Sequence, residues 1–245
     1  MAVGNSDSDR IIHKEGLSVR QSLKNQQIMP FDFKKEYKEL YLPKQKPAFV
    51  DVPPANYIAV RGEGNPNNEN GAYTNAVQIL YSIAYTIKMS KKGDHHIEGY
   101  FDFVVPPLEG LWWEEVNGKA AEGFSYTDKS RLHWISLIRL PHFVTKSEFE
   151  WAVAEASRKK KTDCSKAEFM TLHEGRCAQI MHIGSYDDEP ATIGLLKEFI
   201  GQNNCTSDID NSNRFHHEIY LSDPRKTETS KCKTVIRYPV RQKDN

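Results

Sequence analysis

Apolar residues recur in the first half of the chain with the spacing of a helix that buries one face. Between Gly71 and Lys92 they fall three or four positions apart, at Ala76, Leu80, Ile83, Ala84 and Ile87. This spacing places the apolar side chains on a single stripe of an α-helix. We therefore predict a helix over this range, with Lys88, Lys91 and Lys92 at the negative end of its dipole.

A second helix is predicted from a start signal in the sequence. Thr145 to Glu148 form a capping box, in which a threonine is followed three residues later by a glutamate. The apolar positions after it are Phe149, Ala152, Val153 and Ala156. The basic run from Arg158 to Lys161 falls at the predicted helix end, and no aromatic residue interleaves with it. We interpret the run as a solvated helix end and not as a nucleic-acid patch.

A third helix is predicted to begin near Pro190 and to end at Gly201, because proline favours the first turn and glycine the position after the last. Asp187 and Asp188 are candidate caps. The buried positions are Ile193, Leu196 and Ile200.

Strand-like stretches lie between the helices, rich in β-branched and aromatic residues and bounded by Gly, Pro, Asn or Asp. They are Tyr57–Arg61, Tyr100–Val105, Leu132–Leu140, Cys177–Ile183, Phe215–Leu221 and Thr234–Tyr238. The order strand, helix, strand, strand occurs twice. The sequence thus predicts an α+β fold, a tandem βαββ repeat with pseudo-two-fold symmetry whose antiparallel sheets form a central ligand groove.

The repeats suggest how the chain is divided. Residues 1–28 mix charges without an apolar stretch, and we expect a disordered or loosely packed arm. The folded part is predicted over 29–240, with repeats at about 47–130 and 165–240 joined by a strand and helix near 131–161. Residues 241–245 form a C-terminal tail.

Composition excludes several classes of function. Lys+Arg and Asp+Glu each number 33, so the net charge is zero and no basic surplus points to direct nucleic-acid binding. Mean hydropathy is −0.65 and no apolar run approaches the roughly 20 residues of a membrane span. The irregular spacing of the cysteines argues against a metal site; they are Cys164, Cys177, Cys205 and Cys232. Because the sequence also lacks nucleotide-binding glycine motifs and a signal peptide, we expect a cytoplasmic protein without metal or cofactor.

Candidate chemistry lies on the strand near residue 218. Strand alternation puts His216, Glu218 and Tyr220 on one face. Glu218 is either an ordinary exposed glutamate or a carboxylate beside an apolar groove. Tyr100 lies six residues before Pro106, as Glu218 lies six before Pro224. The pseudo-symmetry therefore predicts that Tyr100 faces Glu218 across the groove, the alternative being a half-buried strand tyrosine.

The tryptophans supply flat apolar area near the same groove. Trp112 and Trp113 are adjacent on a strand, so only one of them can point into the groove. Trp134 suits either the groove or the core. Together they predict a slot for a planar, hydrophobic small molecule, with core packing as the alternative for each ring.

Several stretches resemble the GyrI-like small-molecule-binding domains. They are His217–Arg225, Thr234–Val240, Pro106–Trp113 and Trp134–Pro141. The resemblance implies that Glu218 is the polar anchor of the pocket. The paired prolines and tryptophans are similar to those of the stand-alone cyclopropanoid cyclopropyl hydrolases, which protect cells from spirocyclopropane-type DNA alkylators. On that resemblance Glu218 activates water, Tyr100 orients it, and Trp112, Trp113, Trp134 and Tyr220 hold the ligand.

Two other functions remain open from the sequence. The protein can be a binding module that sequesters planar aromatic, often cationic, drugs without chemistry, or an interaction protein that modulates DNA gyrase. A hydrolase converts more than one equivalent of ligand, whereas a sequestering protein stops at stoichiometry. The sequence does not address the oligomeric state.

Overall fold

The computed structural model describes residues 29–116, 119–120, 128–210 and 213–243. The α-helices in this part are α1 (Phe33–Glu36), α2 (Lys38–Tyr41), α3 (Ala72–Met89), α4 (Lys146–Lys160) and α5 (Glu189–Gln202). The strands are β1 (Ala48–Val52), β2 (Ala55–Glu63), β3 (Leu108–Val116), β4 (Lys119–Ala120), β5 (Leu132–Arg139), β6 (Ala167–Leu172), β7 (Gly175–Ile183), β8 (Cys205–Ser207), β9 (His216–Tyr220) and β10 (Lys233–Gln242). The proposed arm at 1–28 lies outside the described residues.

The strands form one large open sheet in which neighbours run antiparallel. Its order is β1-β7-β10-β9-β3-β5-β2-β6, with β4 added to β3 and β8 to β10. The order is symmetric about the β9–β3 pair, so β9 corresponds to β3, β10 to β5, β7 to β2 and β1 to β6. The predicted α+β tandem βαββ repeat is confirmed. The difference is that a single continuous sheet replaces separate sheets.

The two repeats exchange their first strands. β1 precedes the first repeat in sequence but pairs with β7 of the second, with Val50 opposite Cys177. β6 likewise pairs with β2 of the first repeat, with Ile58 opposite Phe169. The sequence analysis predicted neither β1 nor β6. Each repeat therefore completes the sheet of the other.

Helices α3 and α5 cover the same face of the sheet, one over each repeat. Under α3, Ile79 and Ile83 pack with Ile58 and Ile138 in one core cluster. Under α5, Leu196 and Ile200 pack with Ile180 and Ile236 in another. The predicted apolar stripes of α3, α4 and α5 are buried, apart from Val153 in α4, which is partly exposed. A gap remains above the central strands, between the two helices.

The helix boundaries follow the start and stop signals in the sequence. The Thr145 side chain accepts a hydrogen bond from the Glu148 backbone at 3.3 Å, as the capping box requires. Helix α5 starts at Glu189 with Pro190 in its first turn, and its cap residue Asp188 makes no capping side-chain hydrogen bond. No helix in the described ranges has the length and apolarity to cross a bilayer.

The predicted strand at Tyr100–Val105 is wrong. Within it only Phe103 makes a bridge, to Phe31. The aromatic side chains of this stretch pack in a loop cluster instead, where Phe101 lies 5.2 Å from Phe31 and 5.0 Å from Phe143 between ring centres. Aromatic residues favour strands because their side chains fit a half-buried surface. In this stretch the aromatic side chains find such a surface in the loop cluster, without strand pairing.

A buried charged network occupies the other face of the sheet. His217 lies between two carboxylates, with Nε2 3.0 Å from Glu109 and Nδ1 2.9 Å from Glu174. Arg237 donates to Glu174 at 2.9 Å, and the Tyr41 hydroxyl donates to Glu109 at 3.1 Å. Burial disfavours the charged imidazole, but Glu174 and Glu109 raise the pKa of His217 to about 9. The network therefore joins α2 to the centre of the sheet through paired charges.

Candidate functional site

A cavity of about 670 Å³ lies between α3, the start of α5 and the central strands β3 and β9. Part of its wall is aromatic, including the rings of Tyr73, Tyr81, Trp112, Tyr186 and Tyr220. The carboxyl groups of Glu218, Glu189 and Asp223 also line it. Apolar walls with a few convergent polar groups are typical of sites for small molecules.

The register of β3 and β9 brings the pocket residues together. Gly110 lies directly opposite Glu218, and Trp112 opposite His216. Because side chains alternate along a strand, Trp112, Glu218 and Tyr220 share the face under the helices. A Cβ atom at Gly110 would lie 2.5 Å from Trp112 Nε1 and 3.0 Å from the Tyr220 hydroxyl. Because Gly110 has no side chain, the Trp112 and Tyr220 rings can lie directly over the strand at this position.

Both oxygens of Glu218 accept hydrogen bonds from buried neighbours. His216 Nε2 lies 2.8 Å from one oxygen, and the Tyr220 hydroxyl donates to the other at 2.7 Å. Trp112 Nε1 in turn donates to the Tyr220 oxygen at 2.8 Å, and the Tyr238 hydroxyl lies 3.0 Å from His216 Nδ1. Glu218 is therefore fixed from two sides with its carboxylate at the pocket wall.

Glu189 is the second carboxyl group, and its environment differs from that of Glu218. Burial, the nearby charge of Glu218 and a hydrogen bond with Glu218 raise the pKa of Glu189 well above its ordinary value. Burial also acts to raise the pKa of Glu218, but the hydrogen bond and charge of His216, with further hydrogen bonds from Tyr220 and Glu189, lower it. The two pKa values are therefore shifted in opposite directions, which favours the charge on Glu218 and the proton on Glu189. Two carboxyl groups whose surroundings separate their pKa values are typical of sites in which one group acts as an acid and the other as a base.

The sequence analysis missed Glu189, Tyr73 and Tyr186. Glu189 directly follows Asp187 and Asp188, which were predicted only as helix caps. A glutamate in a first helical turn is usually exposed, whereas Glu189 is 1% exposed. Its Oε1 atom is buried and has no hydrogen-bond partner among the described residues. A carboxyl directly before Pro190 was the available signal, but only the tertiary fold shows where it points.

The predicted ring residues separate into three positions. Trp112 and Tyr220 line the cavity. Trp113 points to the opposite face of the sheet, where it stacks on His133 with ring centres 5.6 Å apart. Trp134 is 1% exposed and lies behind the wall, edge-on to Tyr73 at 5.2 Å. Trp113 and Trp134 therefore serve packing, the alternative that the sequence left open.

Tyr100 does not face Glu218, and this expectation is corrected. Its hydroxyl donates to the Lys88 carbonyl oxygen at 2.7 Å, at the far end of α3. Its ring packs on Phe143, 5.2 Å away. The spacing to Pro106 misaligned the repeats, because the strand register places Gly110, and not Tyr100, opposite Glu218.

In the described part of the chain, no group of three or more His, Cys, Asp or Glu side chains has the arrangement of a metal site. The cysteines are free and buried, and they are Cys164, Cys177, Cys205 and Cys232.

Gly110→Ala is expected to lower the free energy of unfolding by about 1–3 kcal/mol, because the added methyl group overpacks the Trp112–Tyr220 contact. Urea denaturation followed by tryptophan fluorescence measures this change. Gly194→Ala is the matched control, since a Cβ there meets nothing within 4 Å. The control should stabilise the helix by up to about 1 kcal/mol. Equal effects of the two variants would contradict the crowding at Gly110.

The cavity on the pseudo-two-fold axis, with aromatic rings and a buried carboxyl pair in its wall, is typical of the ligand sites of small-molecule-binding proteins. The family model of the GyrI-like small molecule binding domain matches residues 141–241. Among solved structures, an uncharacterized conserved protein from Listeria innocua is 44% identical, with TM-score 0.79, over 86% of this chain and 100% of its own. A hydrolase from the same organism is 42% identical, with TM-score 0.77, over 86% and 100%. No curated protein matches the chain. The chain belongs to the family of GyrI-like small-molecule-binding domains.

Proposed function

We propose that this protein is a hydrolase that adds water to the cyclopropane ring of spirocyclopropane-type DNA alkylators and so detoxifies them. The observation that carries the proposal is that Glu218 and Glu189 line one cavity together with aromatic rings, while their surroundings shift their pKa values in opposite directions. The Listeria innocua hydrolase at 42% identity supports a hydrolytic reaction. The resemblance of the proline and tryptophan stretches supports the cyclopropane substrate.

In the proposed reaction Glu218 is the general base. It takes a proton from a water molecule, whose oxygen attacks the ring methylene carbon. The carbon–carbon bond between the methylene carbon and the spiro centre breaks. Its electron pair moves through the conjugated ring system to the carbonyl oxygen, which takes up a proton. Glu189 supplies that proton and regains one from Glu218 through the hydrogen bond between them. The net change is addition of one water, so no oxidant or cofactor is needed.

The aromatic wall supplies position. Trp112, Tyr73 and Tyr186 offer flat surfaces on which a planar substrate can stack, and this keeps the methylene carbon near the water held by Glu218. A positioned general base contributes about 10²–10⁴-fold. Ring strain already favours the opening, so an acceleration of this size is sufficient.

The test is turnover by the purified full chain with a spirocyclopropane alkylator in excess. Mass spectrometry should show product heavier by one water molecule, in amounts that exceed the amount of protein and the spontaneous reaction without protein. No product beyond the spontaneous reaction would contradict the proposal.

A second candidate is sequestration of planar aromatic cations without chemistry. The observation that favours it is the anionic Glu218 within a wall of tyrosine and tryptophan rings, an arrangement that attracts organic cations. Under this function binding saturates at one equivalent and no product forms. Titration with a planar aromatic cation, monitored by quenching of tryptophan fluorescence, distinguishes it from the hydrolase.

A further inference from the structure

His216 stands behind Glu218 and does not line the cavity. Its side chain is 3% exposed, with Nε2 2.8 Å from a Glu218 oxygen and Nδ1 3.0 Å from the Tyr238 hydroxyl. A carboxylate only accepts hydrogen bonds, so His216 Nε2 carries a hydrogen and donates a hydrogen bond to Glu218. The Tyr238 hydroxyl fixes the ring at its other nitrogen. The two side chains form a buried support for one carboxylate oxygen.

The pseudo-symmetry shows that the fold itself does not require this support. The pseudo-two-fold axis passes through the Gly110–Glu218 pair, so the first-repeat equivalent of His216 is Leu108 and that of Tyr238 is Ile138. In the first repeat these positions are apolar, and the same strands pack there without a polar pair. His216 and Tyr238 therefore occur in the repeat that carries Glu218, and the strand pairing alone does not explain them.

The two glutamates of the pocket are supported unequally. Glu218 accepts hydrogen bonds on both oxygens, from His216 and from Tyr220. Glu189 Oε1 has no partner among the described residues. Donors stabilise the charged form of a carboxyl group, and an unpaired buried oxygen disfavours it.

We propose that His216, held by Tyr238, is a positioning residue that keeps Glu218 the ionised member of the carboxyl pair and thereby decides which glutamate is the base. The role of Glu218 as base rests on the proposed function. The effect of His216 on the ionisation of Glu218 does not depend on any substrate. The other titratable groups around Glu218 are Tyr220 on the same strand, Glu189 on α5, Tyr73 on α3 and Tyr186 before α5. Glu218 helps to raise the pKa values of Tyr73 and Tyr186.

The test uses His216→Leu, which installs the residue of the first repeat, and His216→Gln, which keeps an N–H donor. Carbon-13 NMR of labelled glutamate side chains follows the titration of Glu218 in the ligand-free full chain, and Glu218→Gln assigns its signal. A hydrogen bond to a charged group is worth about 1–2 pH units of titration midpoint. We expect the Glu218 midpoint to rise by about that amount in His216→Leu and to stay near the original value in His216→Gln.

The pH profile of turnover is the second measurement. The acid limb of kcat/KM should move upward in His216→Leu together with the NMR midpoint. An unmoved NMR midpoint in a folded His216→Leu protein overturns the inference, as does an equal loss of activity at every pH. A shifted midpoint in a protein whose wild type shows no turnover supports the ionisation role and contradicts the proposed function instead. Should His216→Leu fail to fold, Tyr238→Phe tests the same support, and an unmoved midpoint there overturns the inference.

Discussion

Glu218→Gln is expected to lower turnover of a spirocyclopropane alkylator by about 10²–10⁴-fold, the contribution of a positioned general base. The amide has nearly the shape of the carboxylate and can still contact His216 and Tyr220, but it cannot take a proton from water. Binding of a neutral planar substrate to the aromatic wall should persist. Initial rates from mass spectrometry and a fluorescence titration of binding measure the two effects separately.

Glu150→Gln is the matched control for this experiment. It makes the same substitution on the exposed side of α4, where Glu150 is paired with Lys146 at 4.0 Å. Its turnover should equal that of the unchanged protein. Wild-type rates in Glu218→Gln would show that another group activates the water.

Glu174→Gln is expected to lower the free energy of unfolding by about 3–5 kcal/mol, because it leaves the buried Arg237 without its carboxylate and His217 with Glu109 alone. The Glu174 side chain is 5% exposed and contacts both His217 and Arg237 at 2.9 Å. The control is Glu168→Gln, which removes a carboxylate 3.1 Å from Arg61 with a side chain 46% exposed. A surface pair of this kind contributes about 0–1 kcal/mol. Urea denaturation should separate the variants clearly, and equal losses would contradict the role of burial.

The same network gives stability a defined dependence on pH. The folded pKa of His217 is raised to about 9, so its contribution is complete below the unfolded value near 6.5 and is lost as pH rises through 9. Burial opposes the charge of Glu174, but His217 and Arg237 lower its pKa to about 2. Its contribution is therefore complete above about 4.5 and declines as pH falls toward 2. In Glu174→Gln both slopes should flatten when urea midpoints are measured across this range.

Local patterns predicted the elements that depend on local chemistry. The α3 stripe, for example Ile83, and the Thr145 cap follow from periodicity and from one hydrogen bond, and both were predicted correctly. The face shared by His216, Glu218 and Tyr220 follows from strand alternation. These features need no knowledge of which distant segment packs nearby.

The remaining features depend on register between distant strands. A spacing counted from prolines aligned Tyr100 with Glu218, whereas hydrogen-bonded pairing aligns Gly110 with it. The burial of Glu189 depends on where the start of α5 meets β9, which no local pattern contains. The sequence therefore predicted Glu218, the proposed base, as a pocket residue but not Glu189, since Glu189 joins the cavity only through the tertiary fold.

The exchange of β1 and β6 has a consequence for how the molecule is held together. A fragment that ends between the repeats would keep β1 but lose β7, the strand with which β1 pairs, and the complementary fragment would keep β6 without β2. Each fragment would carry an orphan strand and an uncovered sheet edge. Each half of the molecule thus depends on the other for one strand of its sheet. Unfolding of either half therefore opens the ligand cavity and exposes a sheet edge of the other half.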